Sequence, residues 1–167
     1  MEKWIPIKFD PDVERAYSKH LLARFIPLGR LAFVIGVIAF IGYGFWDLML
    51  DPNAMASTGP IRLVAVLHFM SCIGITYLPS VRRNPGYWPL LVVYCYCGYA
   101  ILFAIILSQL PGGFVAGAGG FALGVIFIPA ITSGERQAAY VLAPFVLVFA
   151  ITMVLLGATN FELINAL

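Results

Sequence analysis

The chain has 167 residues, 62% hydrophobic and only 11% charged, with a net charge of +2 and a mean hydropathy of +0.95. Soluble domains carry about 25% charged residues, so a water-solvated fold is excluded and the composition is that of an integral membrane protein. The alternating ten-residue segments of a β-barrel do not appear, whereas apolar runs of about 20 residues satisfy their own backbone polar groups as helices.

Residues 1–30 are polar and carry charges of both signs, unlike a cleavable signal peptide, which sets an apolar stretch near its start. Within them "FDPDVERAYSKHLLARFIPLGR" reads as an amphipathic helix. Asp10 suits the N-cap and Pro11 the first helical position, where a missing N–H costs nothing. Asp12 and Glu14 sit at the positive end of the helix dipole. Val13, Tyr17, Leu21 and Phe25 form an apolar stripe, with Arg15, Lys19 and Arg24 outside it. Such a helix lies in the headgroup region or packs on a partner domain. Pro27 and Gly29 mark an expected bend into the first span.

Residues 31–167 form the bundle. Five runs are long enough to cross: Leu31–Leu50, Ile61–Ser80, Tyr87–Gln109, Val115–Ile131 and Ala138–Gly157. Lys3, Lys8, Arg15, Lys19, Arg24, Arg30, Arg82, Arg83 and Arg136 fall on one side and only Arg62 on the other. By the positive-inside rule the N-terminus is cytoplasmic. Pro144 predicts a kink in the fifth run. After it, "FELINAL" has Leu163, Ile164 and Leu167 at helical spacing behind a capping Asn160, and reads as the start of a sixth span that returns to the cytoplasm; a short amphipathic tail is the alternative. The predicted class is therefore all-α, a polytopic membrane helix bundle of five full spans plus the start of a sixth, preceded by a cytoplasmic amphipathic helix.

Ionisable groups within a span are costly and become functional candidates. Asp47 and Arg62 lie at the same level of neighbouring spans and predict an ion pair. His68 follows in the second span. Tyr94, Tyr96 and Tyr99 lie deep in the third, where each hydroxyl needs a partner, and Tyr96 and Tyr99 share a face. These six residues are the candidate ligand-binding set, for a small apolar molecule in a partly polar pocket. Gly113, Gly117, Gly120 and Gly124 make overlapping small-xxx-small patterns for helix or dimer packing, with a weaker version at Ala32 and Gly36.

Catalytic signatures are missing: there is no phosphate loop, nucleophile–base set or relay of intramembrane acids. A bis-histidine haem would need a second intramembrane histidine, and retinal a lysine within a span. Cys72, Cys95 and Cys97 read as packing residues, with no metal site and no disulfide framework. No catalytic residue and no cofactor is assigned to this segment, and nucleic acid is not an expected partner.

"F-D-P-D-x-E-x-x-Y" from Phe9 to Tyr17, the basic helix after it, a first span ending in Asp47 and a second opening with Ile61-Arg62 resemble the N-terminal membrane domains of bacterial class III adenylate cyclases. Related sensor domains occur in diguanylate cyclases. The resemblance implies a six-helix sensor or anchor in the bacterial inner membrane that dimerises and regulates a C-terminal cytoplasmic cyclase. That cyclase would use ATP with Mg or Mn to make cAMP. The rival readings are a free-standing membrane protein, such as a transporter or oxidoreductase subunit, and a passive anchor.

Overall fold

The computed structural model describes residues 10–110, 118–132 and 135–157. It is an all-α membrane bundle, with no strand among the described residues. Its helices are α1 (Pro11–Leu50), α2 (Ala54–Ile75), α3 (Pro79–Arg83), α4 (Tyr87–Ser108), α5 (Ala118–Ala130) and α6 (Glu135–Leu155). Four of them, α1, α2, α4 and α6, are long and apolar enough to cross a membrane. Two expectations lie partly or wholly outside the described residues. Of the fourth run residues 118–131 are described, 13 of them in α5, and the "FELINAL" segment falls beyond residue 157.

The start of α1 follows the sequence closely. The Asp10 carboxylate accepts from the Asp12 N–H at 2.9 Å, Pro11 occupies the first turn, and Asp12 and Glu14 face the dipole's positive end. One feature differs from expectation: the helix runs unbroken through Pro27 and Gly29, so the lead-in and the first span are one 40-residue element. Leu22, Ile26, Phe33 and Phe40 are buried in the bundle, whereas Val13 and Tyr17 of the amphipathic stripe are 53% and 63% exposed. Gly29 and Gly36 lie on this packing side, because a Cβ on either would strike Trp88 or Phe69.

The second span begins seven residues before the expected Ile61 and ends at Ile75. The stretch "AMAST" extends the helix backward, leaving only residues 51–53 as the connection. The chain turns at Thr76–Leu78 and enters the one-turn helix α3, which carries Arg82 and Arg83. Arg15 and Lys19 of α1 line a surface recess with Arg83, so basic residues remote in sequence gather at one end of the bundle. At that end Arg30 donates to Thr76 Oγ1 at 2.7 Å and lies 3.8 Å from the Tyr77 ring centre.

α1 packs along α2, α2 on α4, and α4 along α6. The α4–α5–α6 side is joined by aromatic rings: Tyr99 stacks on Phe103 and Phe145, and Phe121 on Phe145. The Trp88 indole N–H donates to the Ile131 carbonyl at 3.0 Å, tying the start of α4 to the end of α5. α6 is helical through Pro144, with Val141, Phe145, Phe149 and Met153 fully buried on one face.

Candidate functional site

Between α1, α4 and α5 lies a cavity of about 200 Å³. The α1 wall combines the small residues Ala32, Gly36 and Ala39, at helical spacing with Tyr43, and the larger Phe33, Ile35 and Phe40. Tyr96, Tyr99 and Phe103 of α4 form the floor, and Gly120, Gly124 and Phe127 of α5 the far wall. The lining is apolar except for the phenols, the Cys95 thiol and the Arg62 guanidinium. A dry apolar cavity of about 150 Å³ holds a molecule the size of benzene, so this space suits a small hydrophobic ligand.

Small residues are needed here because the large ones already fill their space. A Cβ on Gly36 would fall 2.6 Å from the Phe69 ring, one on Gly120 2.5 Å from Phe103, and one on Gly124 2.7 Å from Tyr99. Gly120 and Gly124 therefore serve helix packing within the chain. Gly113 and Gly117 lie outside the described residues.

The one charged group at the cavity is held in a built site. Arg62 donates from Nε to Asp47 Oδ2 at 2.6 Å, from Nη2 to Asp47 Oδ1 at 2.5 Å, and from Nη1 to the Phe40 carbonyl at 3.1 Å. Asp47 is 1% exposed and Arg62 8%. The fork geometry matches a carboxylate edge, and the pair as a whole is neutral, which suits its depth in the bundle.

The six candidate ligand residues thus separate. Arg62, Tyr96 and Tyr99 line the cavity. Asp47 orients Arg62 from behind. Tyr96 and Tyr99 are edge-on to each other at 6.5 Å, and the Tyr99 hydroxyl donates to the Gly120 carbonyl at 2.6 Å, satisfying it across the α4–α5 contact. His68 and Tyr94 lie elsewhere: the exposed Tyr94 ring packs on the His68 imidazole at 5.0 Å. The α1 face at Ala32, Gly36, Ala39 and Tyr43 escaped the sequence reading beyond its first two members, although its spacing of four, three and four residues carries the signal.

The cysteines are arranged more closely than packing residues require. Cys72 is one turn after His68 on α2, and Cys95 of α4 faces both, with the donor atoms of all three within 4.8 Å of one another. The separation of 27 positions between His68 and Cys95 hid this grouping. Cys97 stands apart from it, as expected of a residue two positions along a helix.

Comparison with known proteins adds one assignment. The family model MASE8, a membrane-associated sensor family, matches residues 45–167, most of the chain. The match takes in α2 to α6 and the end of α1, including Asp47 and Arg62. No curated protein and no solved structure matches the chain.

Proposed function

The chain belongs to the MASE8 family, and on that premise we propose that it is the sensing domain of a membrane signalling protein, binding a small apolar ligand in the cavity between α1, α4 and α5. The observation that carries this reading is the cavity itself: about 200 Å³, opened on α1 at Ala32, Gly36 and Ala39 and bounded at one point by Arg62, which the buried Asp47 holds. A ligand that fits one arrangement of these helices better than another shifts the balance between them. The output is a cytoplasmic nucleotide cyclase working as a homodimer, adenylate cyclase first and diguanylate cyclase second. Support for that output is the resemblance of residues 9–62. The N-terminus is cytoplasmic in a bacterial inner membrane, supported by the basic residues gathered at one end.

The test uses the intact gene product in membranes, comparing wild type with Ala39→Phe, which fills the cavity from α1. At matched expression, a several-fold change in cyclic nucleotide output supports sensing through the cavity. Unchanged output on every membrane preparation favours a passive anchor, which raises the local concentration of catalytic domains without reading a ligand. A gene product that makes no cyclic nucleotide overturns the cyclase output.

A further inference from the structure

We propose that His68, Cys72 and Cys95 form a binding site for a soft monovalent d10 cation, Cu(I). This goes beyond the sensor reading and does not rest on it.

The donor set is arranged by the fold. His68 and Cys72 lie four residues apart on one face of α2, and Cys95 meets them where α2 packs on α4. Both cysteines are fully buried and His68 is half-buried. The imidazole is also given its place by the sequence around Cys95. Gly98, one turn further along α4, leaves the space the ring occupies, and a Cβ there would collide with it. Tyr94 covers the ring at 5.0 Å and Phe69 meets it edge-on at 5.9 Å. A lone packing histidine needs no such cradle.

The number and type of donors select the ion. Thiolates with an imidazole favour Cu(I) or zinc. Zinc completes a four-coordinate shell with a fourth side chain or a water; among the described residues no further histidine, cysteine or acidic side chain joins the three, and Cys72 and Cys95 are both 0% exposed, which suits an ion content with three donors. A three-coordinate ion about 2.2 Å from each donor separates the donors by roughly 3.8 Å. Small side-chain rotations bring this set, with all donors within 4.8 Å, to that spacing.

Binding is accompanied by proton release. In the cation-free protein His68 Nε2–H donates to the Cys95 carbonyl at 3.1 Å. Coordination through Nε2 moves the ring proton to Nδ1, and both thiols give up their protons because the thiolate is the ligand, so the Cu⁺ site carries one net negative charge.

The test titrates the purified chain in detergent micelles with Cu(I), anaerobically, against a colorimetric Cu(I) chelator. One ion per chain is expected, with X-ray absorption of the wild-type complex giving two sulfur and one nitrogen neighbours. Cys72→Ser and Cys95→Ser each weaken binding more than about 100-fold, beyond the roughly 10–100-fold effect of losing an outer-shell partner. Gly98→Ala, which displaces the ring, falls within that smaller range, and Cys97→Ser binds as wild type. The proposal is overturned by a wild-type complex lacking the two-sulfur signature, by equal weakening in Cys97→Ser, by tighter Zn(II) than Cu(I) binding, or by a Cys72–Cys95 disulfide in the protein as isolated.

Discussion

Arg62 grips both carboxylate oxygens of Asp47 while its remaining nitrogen reaches back to the Phe40 carbonyl, so one guanidinium ties two turns of α1 to α2. Removing one member leaves the other charged, buried and unpaired. Asp47→Ala and Arg62→Ala should each cost about 3–5 kcal/mol, and the apolar double variant Asp47→Leu/Arg62→Met should recover much of that loss. Thermal unfolding in detergent checks the comparison. Single variants as stable as wild type would show that the pair contributes nothing.

Glycines of the same helix should respond oppositely to alanine. At Gly36 the new Cβ meets the Phe69 ring at 2.6 Å, and overpacking costs about 1–3 kcal/mol. At Gly42 nothing lies within 4 Å, so relief of backbone entropy should stabilise α1 by about 0.5–1 kcal/mol. Unfolding midpoints of Gly36→Ala and Gly42→Ala should therefore move in opposite directions.

Tyr99→Phe removes the hydroxyl that donates to the Gly120 carbonyl while keeping the ring stacked between Phe103 and Phe145. Interhelical hydrogen bonds in membranes average about 0.6 kcal/mol, and soluble ones reach about 1.5 kcal/mol. A loss within that interval is expected, measured by unfolding. A larger one would mean that the ring itself had moved.

Orientation is open to direct chemistry. In a variant with the native cysteines replaced, a cysteine at the exposed Asn84 should react only with a membrane-permeant thiol reagent in intact cells. One at the exposed Ser57, across the bundle, should react with an impermeant reagent added outside. The reverse pattern would place the basic end on the outer face.

The sequence disclosed what charge and length dictate. The ends of α4 and α6 were found within about three residues, and Asp47 and Arg62 were paired because two opposite charges at one depth have few other partners. It was poorer on which face of each helix points inward. Leu63, Leu67 and Met70 of α2 are as apolar as the core yet more than half exposed, since lipid rewards the same residues as packing does. On α1 the amphipathic stripe at Val13 and Tyr17 is exposed, while Leu22 and Ile26, one position round the helix, face the bundle. His68, Cys72 and Cys95 meet only through the α2–α4 crossing, a distance no spacing within one helix encodes.

The uninterrupted α1 has a mechanical consequence. Its 40 residues extend about 60 Å at about 1.5 Å each, twice the roughly 30 Å of a hydrocarbon core. Pro11 stands 28 residues from Ala39, about 42 Å by the same rise. Any displacement of α1 at the cavity wall would therefore be carried by one continuous helix to a tip that lies well beyond the thickness of the hydrocarbon core.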